Sequence, residues 1–150
     1  MSPTVGDALH DRYEAIFEAI EAPFAFVDLD AVRANAGSML ARAGSKPIRV
    51  ASKSVRSRGM LDRIAALDDR FRGLLCYTLP EALMLADAGW RDLVVGYPTI
   101  DRHAISRLAN LASRDPAATP VLMVDGIAQL DLIEGAVGAG PTSIPVAIDI

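Results

Sequence analysis

Short apolar runs of strand length recur along this chain at a nearly regular interval, and that beat restricts the fold more than any single residue does. They are FAFVDL (24–29), IRVAS (48–52), GLLCYT (73–78), DLVVGY (92–97), PVLMVDG (120–126) and IPVAIDI (144–150). Most are continuous rather than alternating, the pattern of parallel strands covered on both faces. Helical patterns lie between them. Residues 30–44 place Val32, Ala36, Met39, Leu40 and Ala43 on one stripe, and residues 57–67 do the same with Met60, Ile64 and Leu67. From strand end to strand end the repeat is on the order of 20 to 28 residues, the length of one β-loop-α unit.

Boundary chemistry supports the alternation. Pro80 and Glu81 suit the first turn of a helix starting near Leu79, and Gly44 and Gly89 stand where a helix C-cap favours glycine. The helix over 101–115 should end at Asp115, because a residue before proline avoids helical geometry. Asp28, Asp30 and Asp125 read as N-caps in VDLDA and VDG, whereas Asp149 is left open.

Two α/β architectures fit this pattern. One is a doubly wound open sheet, which five or six strands complete; the other is the first part of a (β/α)8 barrel, which usually needs ~250 residues. The strand-like VAIDI at the end of the sequence favours the barrel, because a strand buried on both faces expects more chain beside it.

Composition narrows the function classes. Apolar residues make up 51% of the chain, enough for one well-buried soluble domain. A net charge of -4, with thirteen arginines scattered singly among acids, offers no basic patch for nucleic acid or an anionic membrane surface. The N-terminus is acidic and amphipathic rather than a signal peptide, and no apolar stretch approaches the ~20 residues that span a bilayer. Cys76 is the single cysteine and has no disulfide partner in the chain, so the expected compartment is the reducing cytoplasm.

The chain has only two lysines, Lys46 and Lys53. Lys53 closes the second apolar run, at the strand end where both architectures bind substrates and cofactors. A lysine that attacks a carbonyl needs its free amine, which partial desolvation favours. A strand-end lysine also reads as a solvated charge, and spacing alone does not decide between the two. The loop after FAFVDL lacks the spaced glycines of a dinucleotide site. His10 and His103 have no second histidine or cysteine at ligand spacing, so no metal site is expected within these residues. Trp90 and Tyr97 read as packing residues, with no aromatic neighbour at helical or strand spacing.

The order of segments carries a family likeness. The succession PFAFVDLDAVRANAGSMLARA, IRVASKSVRS, LLCYTLPEALMLADAGWRDLVVGYP, VLMVDGIAQLDLIE and PVAIDI resembles the N-terminal part of the fold-type III pyridoxal-phosphate (PLP) enzymes, the alanine racemase N-terminal domain superfamily. Within it, the chain looks most like the D-threonine aldolase, D-serine dehydratase and amino-acid deaminase branch. The resemblance runs from about Pro23 onward. It implies an N-terminal helical segment over 1–22, followed over 23–150 by a TIM barrel of the alanine racemase type. Of that barrel only the first five strands, from Ile48 to Ile150, are present, with FAFVDL preceding them.

In this family the lysine ending the first barrel strand carries pyridoxal 5′-phosphate as a Schiff base, and the match falls on Lys53 alone. Alanine racemases proper carry a tyrosine four residues after that lysine, where this chain has Ser57, and no motif match gives a role to Ser54, Arg56 or Ser57. Barrel-only PLP homeostasis proteins share a serine-lysine loop like ASKS, but follow it with a different motif where this chain reads CYTLPEA. The resemblance therefore implies a PLP-dependent lyase, aldolase or deaminase acting on a D- or β-hydroxy amino acid, with an amino-acid racemase and a non-catalytic PLP carrier as alternatives. It implies a small-molecule amino-acid substrate and leaves room for a homodimer in the full-length protein. A second catalytic base, the phosphate loop and any divalent metal would come from sequence beyond Ile150, so these 150 residues alone are expected to be inactive.

Overall fold

The computed structural model describes residues 5–138 and 142–149. It divides into two compact units, one up to Val32 and one from Arg33 onward.

In the first unit, helix α1 (Val5–Phe17) presents an aromatic face to the segment that follows it. Phe17 packs on Phe24 and Phe26 with ring centroids 5.1 and 4.5 Å apart, and Tyr13 packs on Phe26 at 4.8 Å. The Tyr13 hydroxyl donates to Asp28 Oδ2 at 2.6 Å. That bond, with the Ala31 amide, holds the Asp28 carboxyl below its usual range. The other oxygen, Oδ1, accepts from the amides of Asp30 and Ala31 and so caps helix α2 (Leu29–Ala43). The strand expected over 24–29 does not form. Residues 24–28 pair with no strand among the described residues, because their phenylalanines pack on α1 instead.

The second unit holds a five-stranded parallel sheet in the order β1-β2-β3-β4-β5. Its strands are β1 (Ile48–Val50), β2 (Phe71–Cys76), β3 (Leu93–Val95), β4 (Val121–Val124) and β5 (Val146–Ile148). Each strand pairs with its successor in sequence. A doubly wound sheet must reverse its order at a switch point. This sheet never does, so it is one arc of a singly wound barrel. The connections run through α3 (Ser52–Val55) and α4 (Arg58–Ala65), α5 (Leu79–Asp87), α6 (Arg102–Arg114) with a 3₁₀ turn at Pro116–Ala118, and α7 (Ile127–Val137).

The core lies between the sheet and these helices. Leu74 and Cys76 of β2, Leu93 and Val95 of β3, and Leu122 and Val124 of β4 pack against Leu79, Leu83, Ile105 and Leu108. The opposite face carries Leu75 in register with Val94, and Met123 in register with Ala147, all half-buried.

The expected helix boundaries appear. Thr78 caps α5 by accepting from the Glu81 amide, with Pro80 in the first turn, and α6 ends at Asp115 before Pro116. Gly44 and Gly89 follow α2 and α5 with φ of 61° and 96°. Arg70, gripped by Asp68, donates to the carbonyls of Leu40 and Gly44 at the end of α2, and this pairing lowers the Asp68 pKa to about 2. Two cap assignments are corrected. Asp30 lies inside the first turn of α2, which Asp28 already caps. Gly126 holds the N-cap position of α7, and the Asp125 amide instead donates to Gln129 Oε1 at 2.8 Å.

Candidate active site

Because the strands are parallel, the residues just past their C-terminal ends gather at one mouth. Lys53 follows β1, Tyr77 follows β2, Tyr97 follows β3, and Asp125 and Asp149 follow β4 and β5. Lys53 sits in the one-turn helix α3, which starts as soon as the strand ends. Arg56 stops that turn in a left-handed conformation, φ 50°, with its amide on Ser52 O and its Nε on Lys53 O. The lysine backbone is thus fixed on both sides.

Ser52 is 1% exposed and anchors the turn. Its hydroxyl donates to Glu81 Oε1 at 2.7 Å, with the Leu75 carbonyl at 3.2 Å. Glu81 Oε2 accepts from the Tyr77 amide at 2.8 Å. One carboxylate at the start of α5 therefore ties the end of β1 to the end of β2. Beneath it Cys76 is fully buried, and burial pushes its thiol pKa up to about 11, leaving it protonated and unreactive at neutral pH.

The Lys53 amine is half-buried and reaches the Tyr97 phenol oxygen at 2.9 Å, and Nζ also lies 4.7 Å from the centre of that ring. Tyr77 meets Tyr97 edge-on, centroids 5.4 Å apart at 78°. Among the described residues no carboxylate forms an ion pair with Lys53. The amine is held by a neutral group and is available for covalent chemistry without breaking a salt bridge.

Beside it, a cavity of about 420 Å³ is walled by Tyr77, Thr78, Tyr97, Pro98 and Thr99. A larger one, about 560 Å³, lies at the opposite end of the strands beside Arg72, Trp90 and Arg91. That end of a parallel α/β fold serves stability rather than chemistry, so the smaller cavity is the relevant one.

Sequence reasoning found Lys53 but assigned Tyr97 to packing; Trp90 does pack against the core. Tyr97 has an aromatic neighbour after all, through the register that sets Cys76 opposite Val95. A usable signal was present, since Tyr77 and Tyr97 each stand within two residues of adjacent strand ends. His10 lies in α1 and His103 in the first turn of α6, and among the described residues no cluster of three or more His, Cys, Asp and Glu is placed to hold a metal. No described helix is long and apolar enough to cross a membrane.

No protein-family model matches the chain. No curated protein matches it in sequence. Among solved structures it is similar to the crystal structure of D-threonine aldolase from Filomicrobium marinum, with a TM-score of 0.73 and 28% identity over 87% of this chain. The chain spans about a third, 35%, of that aldolase. The sequential parallel sheet, with Lys53 at the end of its first strand, therefore has the fold of the N-terminal part of a TIM-barrel enzyme of the fold-type III PLP class.

Proposed function

We propose that the protein carrying this chain is a PLP-dependent amino-acid lyase of the aldolase kind, acting on a β-hydroxy D-amino acid, with Lys53 as the residue that holds the cofactor. The observation that carries this reading is the Lys53 amine itself. It is half-buried at the mouth of the parallel sheet and bonded to a phenol rather than to a carboxylate.

The residues present fit the aldehyde of the cofactor, since a primary amine without an ion pair is the group that condenses with it. When bound, PLP draws electrons from the α-carbon of an amino acid and so weakens the bonds around it. The chain's own contribution is orientation and proton handling. Ser52 and Glu81 fix the turn that carries Lys53, Tyr77 and Tyr97 shield one side of the amine from water, and Lys53 Nζ can take up or return a proton beside the reacting carbon. The likeness to a D-threonine aldolase supports carbon–carbon cleavage over the other outcomes open to such a site.

The test is turnover by the full-length protein supplied with PLP. D-Threonine should yield glycine and acetaldehyde, and Lys53→Ala should lower that rate by roughly 10³-fold or more. Pyruvate and ammonia from D-serine, with no glycine from D-threonine, would replace the aldolase reading with a dehydratase.

A further inference from the structure

Both contacts on the Lys53 amine come from one side chain. The Tyr97 phenol oxygen is 2.9 Å from Nζ and the ring centre is 4.7 Å from it. The ring is itself restrained, because Tyr77 meets it edge-on from the neighbouring strand end. Gly96 permits this approach: its amide donates to Cys76 O at 2.9 Å, and a Cβ there would stand 3.0 Å from Leu75 Cδ1. The sheet thus delivers Tyr97 to the amine through close packing of β2 and β3.

A phenol differs from a carboxylate in what it holds. A carboxylate accepts only, so it grips an ammonium and opposes loss of its proton. A phenol oxygen accepts from the ammonium, and its O–H can turn to donate to the lone pair of the free amine. Lysine has a long flexible stem, and an amine that must react needs its direction set without its charge being locked.

We propose that Tyr97 is the positioning residue of the Lys53 amine, holding it at the barrel mouth in both protonation states and thereby speeding its capture of the cofactor aldehyde. This rests on the assignment of Lys53 under Proposed function. No proton is consumed by the positioning: the phenol ends as it began, and the water lost on condensation derives from the aldehyde oxygen.

Lys46, exposed in the same chain, supplies an internal reference. Full-length protein stripped of cofactor is mixed with limiting PLP, quenched with borohydride at intervals, and the label on each lysine is quantified. Tyr97→Phe keeps the ring and loses only the hydroxyl. It should label Lys53 about threefold to tenfold more slowly, the worth of one hydrogen bond, with Lys46 unchanged. A wild-type ratio of Lys53 to Lys46 labelling in Tyr97→Phe would overturn the proposal while leaving Lys53 as the cofactor lysine. A loss shared equally by Lys46 would also overturn it, as the mark of a purely structural role. Wild-type protein with no label on Lys53 would instead overturn the assignment on which the proposal rests.

Discussion

Lys53 and Cys76 lie within one small neighbourhood, and their surroundings set them apart. Lys53 projects into the mouth against a neutral phenol, whereas Cys76 faces the core. The thiol should resist aromatic disulfide reagents in the native protein at neutral pH and react once denaturant is added; rapid native reaction would contradict its burial. Because its folded pKa is about 11 against an ordinary 9.0, the unfolded chain loses that proton first. Its contribution to stability is therefore full below about pH 9 and is lost as pH rises toward about 11. Denaturant titrations of wild type and Cys76→Ala across that window should show the alkaline decline reduced in the variant. At this scale the sequence marked Lys53, because a strand end is visible in sequence. It did not mark Tyr97, because the contact depends on the register between β2 and β3 rather than on spacing along the chain.

At the scale of elements, most of the fold was legible where the deciding chemistry is local. The Thr78-Leu79-Pro80-Glu81 start of α5 and the Asp115-Pro116 stop of α6 are fixed by neighbouring residues, and both appear as read. FAFVDL failed because a strand needs a partner, and an apolar run does not reveal whether one is available. Gly73 is a different case, in the interior of β2 with φ 73°. A Cβ there would lie 2.4 Å from the backbone oxygen of Asp92, a residue itself held by an ion pair with Arg49. No side chain can yield to relieve that overlap. Gly73→Ala should destabilise the protein by about 3 kcal/mol, seen as a lower midpoint in urea with little change in slope. An unchanged midpoint would mean that the β2–β3 packing is looser than described.

Across the whole molecule, the order of strands carries the most information. Periodicity established strands alternating with helices but left the doubly wound sheet and the barrel both open. Strand order is a non-local property, and the unbroken sequence from β1 to β5 excludes the doubly wound sheet. The same order turns five strand ends toward one mouth and makes Lys53 a member of a site rather than an isolated charge. The similarity to D-threonine aldolase covers 87% of this chain but 35% of the aldolase, so the mouth described here is part of a larger one. The account therefore turns on whether Lys53 is where the cofactor attaches.

The most direct measurement is borohydride reduction of the PLP-loaded full-length protein, followed by tryptic mapping. Trypsin cuts after Arg49 and Arg56, and a modified Lys53 blocks the cut between them. The account predicts an intact Val50–Arg56 peptide, VASKSVR, carrying the reduced cofactor. Separate, unlabelled VASK and SVR, with the label on Lys46 or on a lysine outside this chain, would contradict it.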